Sequence, residues 1–261
     1  MVVPHHIRRA AADGDIAVVE TWLAEVGPEA INETDEYGNT LLRLSLTSRI
    51  EERHVQFARR LIARGVDVNI ASNYDSAALH MACYPGGCAS AVVSLLLQAG
   101  ARVNVRNIGE TTPLGTLIKK FNYGLHYVED EDSRTADQRQ VSRSGLEIMK
   151  LLLKGGASLD RCERDRSAEA AMQDFLSRHR SYANDEYFAK GRELIAGVRA
   201  HGSYKAYVRE PHRQFLRLRS LLVRGRAKVR GRSKSSQRLE RLARLPNGAC
   251  WHVLSFLWEA A

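Results

Sequence analysis

The sequence predicts an all-α solenoid of about five helix-turn-helix units, followed by a helical extension at the C-terminal end. The main observation is a helix ending that recurs as Gly65-Val66-Asp67-Val68-Asn69, Gly100-Ala101-Arg102-Val103-Asn104 and Gly156-Ala157-Ser158-Leu159-Asp160. A weaker copy is Pro28-Glu29-Ala30-Ile31-Asn32. The successive steps are 37 residues from Asn32 to Asn69, 35 from Asn69 to Asn104 and 56 from Asn104 to Asp160. Units repeated at this spacing stack, because a single helix pair cannot bury its apolar face.

Local signals place the two helices of each unit. The first helix is predicted to begin near Thr40, Ala77 and Thr112. A threonine at the cap accepts a hydrogen bond from an unpaired amide, and Pro113 loses nothing at the first helical position. The second helix is an apolar run such as 92–97. The glycine after that run closes the helix in the left-handed conformation, which costs glycine no Cβ clash.

These residues resemble the ankyrin repeat, whose pattern reads roughly G-x-T-P-L-H and then V-V-x-x-L-L-x-x-G-A-x-V-N. The best unit is 72–104, with Ala78-Leu79-His80-Met81-Ala82 and Val92-Val93-Ser94-Leu95-Leu96-Leu97-Gln98-Ala99-Gly100-Ala101. The resemblance extends over about residues 7–202 and implies that 1–203 form an ankyrin solenoid. The expected units are 7–33, 34–70, 71–105, 106–160 and 161–203.

Some units depart from the family pattern. Leu41 stands where proline is expected and Arg43 where histidine is expected, and unit 106–160 has one extra residue before Thr112. In the last unit, Glu169 places a carboxylate where leucine normally packs. The first unit lacks a hairpin before its helix, as we expect of a terminal cap. His80 is expected to hydrogen-bond the backbone of a turn.

An insertion, residues 122–143, lengthens unit 106–160 and contains the acidic run Glu129-Asp130-Glu131-Asp132. Insertions in repeat proteins fall in loops, often on the binding face. We expect a polar surface loop with a short helix near 135–144. The acidic run is either an ordinary solvated loop, which we favour, or a contact for a basic partner.

Charge divides the chain into two parts. Residues 1–198 hold 24 Lys or Arg and 27 Asp or Glu, whereas residues 199–244 hold 15 and 2. Residues 204–223 are expected to form a capping helix that Glu210-Pro211 can open and that buries Phe215 and Leu222. Residues 224–238 form a basic linker, which is predicted to act as a nuclear-import signal or to bind nucleic acid without sequence specificity.

The last segment, 239–261, is apolar and aromatic. Leu245-Pro246 followed by Val253-Leu254-Ser255-Phe256-Leu257 resembles the start of an F-box, and a SOCS-type box has a similar Leu-Pro turn. The F-box resemblance implies that the segment recruits a Skp-type adaptor and a cullin. The implied adaptor-binding residues are Leu245, Pro246, Trp251, Val253, Leu254 and Leu257. The alternative, which we favour, is a C-terminal helix that packs Trp251, Leu254 and Trp258 against neighbouring structure.

Catalytic and metal-binding patterns are not found in the sequence. Cys83, Cys88 and His80 lie close together, but no second pair completes a zinc site. We find no nucleophile motif, phosphate-binding glycine loop or paired metal carboxylates, so we expect neither an enzyme nor a cofactor. We also expect no signal peptide, no membrane-spanning segment, a cytoplasmic or nuclear location and a monomer.

The resemblance implies a protein partner, of unknown identity, on the concave face built by hairpin tips and inner helices. Tyrosines stand at two successive tips, and tyrosine is enriched where binding energy concentrates. The candidate protein-binding residues are Asp35, Glu36, Tyr37, Asn73, Tyr74, Asp75, Asn107, Ile108 and Glu110. The sequence therefore favours a protein-interaction module, with a ubiquitin-ligase adaptor and a nucleic-acid binder as alternatives.

Overall fold

The computed structural model describes residues 2–47, 50–121 and 131–224. The chain divides into two compact units, residues 1–200 and 201–261. The helices are α1 (His5–Asp13), α2 (Ile16–Val26), α3 (Leu41–Leu44), α4 (Glu52–Ala63), α5 (Ala78–Ala82), α6 (Ala89–Gln98), α7 (Pro113–Lys119), α8 (Glu131–Lys154), α9 (Ala168–Arg178), α10 (Glu186–His201) and α11 (Tyr204–Val223). Short 3₁₀ helices occupy Pro28–Asn32 and Arg180–Asn184. Within these described ranges the only β-structure is a set of isolated bridges.

Helices α1 to α10 form five consecutive helix pairs in the first unit. The odd-numbered helices stack in order, because α1 contacts α3, α3 contacts α5, α5 contacts α7 and α7 contacts α9. Among the even-numbered helices, α4 contacts α6 and α6 contacts α8. This stacking confirms the predicted all-α solenoid. The short odd-numbered helices, hereafter the inner helices, each follow a hairpin from the second pair onward.

The predicted helix starts and ends are present. Thr40 Oγ1 accepts a hydrogen bond from the Arg43 amide at 3.3 Å, and Thr112 Oγ1 accepts one from the Gly115 amide at 3.2 Å. The glycines that follow α4, α6 and α8 have left-handed backbones, with φ of 84°, 84° and 90°. Local chemistry alone therefore explains where these helices begin and end.

A ladder of asparagine side chains explains the repeated helix ending. Each asparagine accepts, through Oδ1 and at 2.8 Å, a hydrogen bond from a backbone amide in the next copy of the ending. The pairs are Asn32 with Asp67, Asn69 with Arg102, and Asn104 with Ser158. At the last position, Asp160 accepts instead from Arg199 of α10 at 2.7 Å. The asparagine links therefore run from the first pair to the end of α8 and stop there.

The last two helix pairs share an aromatic core. Phe121, Phe175, Tyr182 and Phe188 are buried, and the rings of Phe121 and Phe188 meet edge to face with centroids 5.1 Å apart. Edge-to-face pairs are more stable than face-to-face stacks because the ring edge is positive and the ring face negative. Gly145 of α8 leaves room for Phe121, since a Cβ there would lie 2.7 Å from the ring.

The insertion differs from the prediction. Residues 131–143 belong to the 24-residue helix α8, so the expected loop with a short helix near 135–144 is wrong there. Ser142 is fully buried and donates to Asp185 Oδ2 at 2.8 Å, while Asp185 Oδ1 caps α10 by accepting from the Phe188 amide at 2.8 Å. Residues 122–130, including the first half of the acidic run, lie outside the described residues.

The second unit contains α11. This helix begins at Tyr204 and carries Pro211 in its interior, so the predicted opening at Glu210-Pro211 is wrong. An interior proline removes one helical hydrogen bond and is usually avoided. The side chains of Phe215 and Leu222 lie outside those the structure describes, as do the basic linker from residue 225 onward and segment 239–261.

Candidate protein-binding surface

A polar side chain at the start of the hairpin forms the turn before α3 and the turn before α7. Asp35 is buried, and its Oδ1 accepts from the amides of Tyr37 and Asn39 at 2.9 and 2.8 Å. In the third hairpin Asn107 Oδ1 accepts from the amides of Gly109 and Thr111 at 3.0 and 3.1 Å. These two predicted binding residues therefore form the turns, and their side chains are occupied by that task.

Backbone hydrogen bonds join the tips of successive hairpins. The Asn73 amide donates to the Tyr37 carbonyl at 2.9 Å, and the Ile108 amide donates to the Tyr74 carbonyl at 3.0 Å. The Asn73 side-chain amide also donates to the Glu36 carbonyl at 3.1 Å. The three tips therefore form one continuous strip in which the backbones are fixed and the side chains point outward.

Three large apolar side chains are exposed along this strip. Tyr37, Tyr74 and Ile108 are 53%, 54% and 61% exposed. Among the described residues only Val2 and Val18 are other large apolar side chains with comparable exposure. Apolar side chains gathered in this way on an exposed surface are typical of binding sites.

The remaining exposed tip residues are mostly acidic. Arg8 of α1 bonds Glu36 at 2.5 Å and, mainly through this hydrogen bond, lowers the pKa of the Glu36 carboxyl. Asp75 and Glu110 are exposed, have left-handed backbones with φ of 53° and 52°, and make no side-chain hydrogen bond or ion pair within the described residues. We define the tip surface as Glu36, Tyr37, Asn73, Tyr74, Asp75, Ile108 and Glu110.

Further side chains on the inner helices and directly after them interact with one another. Lys120 Nζ lies 5.5 Å from the ring centroid of Tyr84, a cation–π arrangement. Met81 is half-buried on α5, and Arg43 Nη2 lies 3.7 Å from its sulfur. None of these residues was predicted as a binding residue, although the substitution of arginine for histidine at position 43 was visible in the sequence.

Arg43 and His80 link successive units at equivalent positions. Arg43 Nε donates to the Ser76 carbonyl at 3.0 Å, and His80 Nε2 lies 3.1 Å from the Thr111 carbonyl. His80 Nδ1 accepts from the Ala77 amide at 3.2 Å, so Nε2 carries the proton. Burial lowers the pKa of His80 and keeps the ring neutral. The expected backbone bonding of this histidine is confirmed.

At the third junction the equivalent residue is Gly115. The Cys162 carbonyl accepts from the Thr112 amide at 2.9 Å and from Thr112 Oγ1 at 3.2 Å. A Cβ on Gly115 would lie 1.9 Å from that carbonyl oxygen. The fourth hairpin therefore approaches α7 through a gap that only glycine leaves.

Two of the described cysteines have structural rather than reactive surroundings. Cys83 and Cys162 are buried; burial raises the pKa of Cys83, and it raises that of Cys162 to about 12. Across ranges 2–47, 50–121 and 131–224, no group of three His, Cys, Asp or Glu side chains is placed to hold a metal ion. In the same ranges no helix has the length and apolar character needed to cross a membrane.

Residues 7–107 match the family model for ankyrin repeats, in three copies. This stretch contains the first two hairpins and only the start of the third, so Ile108 and Glu110 of the tip surface lie beyond the matched residues. Over residues 7–107 the chain is therefore similar to ankyrin repeats, which in general support protein–protein interaction. The predicted adaptor-binding residues, Leu245 to Leu257, lie outside the described residues, and the F-box-like segment stays a prediction.

Proposed function

We propose that this protein recognises another protein through its tip surface and the adjoining inner helices, the concave face that the ankyrin resemblance implies. The observation that carries the proposal is the line of exposed apolar side chains Tyr37, Tyr74 and Ile108. Exposing such side chains to water is unfavourable, and a partner that covers them gains that free energy. Ankyrin repeats support a protein-interaction role in general, and we propose the tip surface as the place where the partner binds.

Apart from Asn73, whose side-chain amide bonds the Glu36 carbonyl, the side chains of the tip surface make no hydrogen bond between the described hairpins. Tyr37 and Tyr74 contribute only backbone atoms to the strip, since their carbonyls accept the bonds from the next hairpin. Asp35 and Asn107, in contrast, use their side-chain oxygens to form the turns. We therefore keep the exposed members of the predicted set as binding residues. Asp35 and Asn107 are assigned the role of holding the hairpin turns in shape.

The test compares two double variants of the full chain. Tyr37→Ser/Tyr74→Ser removes the aromatic side chains of the tip surface. Val2→Ser/Val18→Ser removes two exposed apolar side chains elsewhere, which are 62% and 40% exposed. After chemical cross-linking in cell extract and mass spectrometry, we expect the tip variant to lose partners that the wild type and the control retain. Identical partner sets for all three proteins would contradict the proposal.

A second candidate function is a substrate adaptor of a cullin–RING ubiquitin ligase. It rests on the pattern Leu245-Pro246 and Val253 to Leu257, which resembles the start of an F-box. In this function the tip surface holds the substrate and residues 245–258 recruit a Skp-type adaptor. Leu254→Asp in the full chain is expected to abolish capture of the adaptor and cullin. Recovery of neither protein by the wild type would remove this candidate.

A third candidate is association with nucleic acid through linker 224–238. It rests on the basic composition of that linker, which attracts phosphate and releases counterions. The affinity for a random double-stranded oligonucleotide is then expected to fall steeply as NaCl rises from 50 to 200 mM. Binding that ignores salt, or no binding at 50 mM, would contradict it.

A further inference from the structure

We propose that the partner of the tip surface presents an extended segment in which apolar side chains recur at every third position with lysine or arginine between them. This inference rests on the proposed function, because it concerns the chemistry of the partner at that same surface. It follows from the negative charge of the three hairpins, from the spacing of their tips and from the different charge of the fourth hairpin.

The three hairpins are acidic within a basic chain. Residues 33–40, 70–77 and 106–112 hold five acidic residues and one basic residue, whereas the whole chain has a net charge of +9. The basic residue is Arg106, whose guanidinium donates to the carbonyls of Arg161 and Arg164 at 3.0 and 3.1 Å. The local field over the tip surface is therefore negative and opposes the overall charge.

Two carboxylates are available to a partner. Glu36 is already paired with Arg8. Asp75 and Glu110 are exposed, and neither side chain has a hydrogen bond or ion pair in the described part of the chain. They flank the apolar side chains of Tyr74 and Ile108. A cationic side chain beside each apolar contact would pair with these carboxylates. We therefore expect the partner segment to be positively charged.

The spacing of the tips sets the pattern of the segment. Backbone hydrogen bonds join each tip to the next, and the inner helices beneath them are in contact. Packed helices lie about 8–10 Å apart, so we expect successive tips at about that distance. A polyproline II segment has three residues per turn and rises about 3.1 Å per residue, so every third side chain falls on one face about 9 Å apart. One such segment reaches Tyr37, Tyr74 and Ile108 in turn.

The fourth hairpin sets the end of the site. Its exposed arginines are Arg161, which pairs with Asp165 at 3.9 Å, Arg166, which pairs with Asp174 at 2.9 Å, and Arg164. A basic segment is therefore attracted to the first three hairpins and finds no such negative field at the fourth. The same negative field repels nucleic acid and anionic lipid, both of which present phosphate groups. A basic, apolar peptide segment is the occupant that satisfies both the exposed apolar side chains and the unpaired carboxylates.

The test uses a displayed library of random 12-residue peptides selected on the full-length protein. Peptides that fail to bind Tyr37→Ser/Tyr74→Ser are taken as dependent on the tip surface and are synthesised. Their affinities are measured by fluorescence anisotropy for the wild type, for Asp75→Asn/Glu110→Gln and for the control Glu25→Gln/Glu193→Gln. The control removes the same number of exposed carboxylates from helices α2 and α10.

We expect the dependent peptides to carry Lys or Arg between apolar residues three apart. We expect their Kd to rise about 3- to 10-fold in the charge variant, and to change by less than about 2-fold in the control. Dependent peptides that are neutral or acidic, or that ignore the charge variant, would overturn this inference and leave the proposed function standing. A selection with no dependent peptide would overturn this inference, while the cross-linking comparison judges the proposed function separately.

Discussion

Arg43 Nε donates to the Ser76 carbonyl at 3.0 Å, and this bond replaces the one that His80 makes to Thr111 at the next junction. The guanidinium is half-buried, and burial lowers the pKa of Arg43. It also bonds Asn39 Oδ1. Arginine therefore serves here as an inter-unit link, at a position where the family pattern has histidine.

Removing this link is expected to destabilise the solenoid. Arg43→Ala removes the side-chain donor to the Ser76 carbonyl, which keeps only the bond from the Ser72 amide at 3.2 Å. The loss of a charged hydrogen bond costs about 1.5–3 kcal/mol. Arg43→His is expected to recover part of this loss, since His80 makes the equivalent bond. Urea denaturation of the full chain measures both. An unchanged midpoint for Arg43→Ala would show that the link contributes nothing.

Gly115→Ala is expected to destabilise the protein by about 1–3 kcal/mol or more, as overpacking does. The new Cβ would lie 1.9 Å from the Cys162 carbonyl oxygen, which is backbone and cannot rotate away. Gly191→Ala in α10 is the control, because its Cβ would meet only the flexible ends of Met149 and Met172, at 3.4 and 3.6 Å. That control is expected to be neutral, or stabilising by up to about 1 kcal/mol. Equal urea midpoints for the two variants would contradict the role of Gly115.

Leu96→Ala tests the core of the best repeat. Leu96 of α6 is fully buried. Truncating a buried leucine costs about 2–5 kcal/mol, because the transfer free energy is lost and a cavity remains. Leu97→Ala, at a half-buried neighbouring position, is expected to cost clearly less. If the two variants show the same free energy of unfolding, the assignment of the buried face is wrong.

His80 is expected to make stability fall in mild acid. Burial lowers its pKa in the folded state below the value near 6.5 of the unfolded chain, so the unfolded state takes up the proton first. Stability from this group is complete above about pH 6.5 and decreases as pH falls towards the folded pKa. Protonation also removes the Nδ1 acceptor used by Ala77.

The measurement compares unfolding free energies of the wild type and His80→Gln between pH 7.5 and 5.5. Glutamine does not titrate, so the difference between the two proteins isolates the histidine. We expect the wild type to lose more stability across this range than the variant. Parallel pH profiles would show that His80 does not couple folding to proton uptake.

Much of the fold could be predicted because its signals are local. Thr40 and Thr112 cap helices through bonds to amides three residues away, and Gly65 closes a helix with its own backbone. Such contacts need no knowledge of the remaining chain. The repeated asparagines revealed the period, although the ladder they form between units became visible only in the structure.

The insertion could not be predicted in the same way. Its polar composition indicated a loop, yet Ser142 is buried, and Asp185, 43 residues later, accepts a hydrogen bond from its hydroxyl group. Helix α11 spans the expected residues 204–223, but the interpretation of Pro211 as the signal for a helix opening was wrong, because the helix continues through it. In the insertion, a contact between distant residues outweighed the local preference for a loop. At Pro211 the helix continues despite the local preference for a helix start.

The sequence by itself determined the helix pairs, their period and the tips at which candidate binding residues stand, because capping and amphipathic spacing act within a few residues. The tertiary structure decided which tip side chains are available. Asp35 and Tyr37 are two residues apart, but the turn uses the carboxylate of Asp35 and leaves the ring of Tyr37 exposed. It also decided what stands at two equivalent junctions: Arg43 bonds the next hairpin through a long side chain, whereas Gly115 allows the next hairpin to approach because it has no side chain. This approach is set by packing between units rather than by either residue's neighbours in sequence.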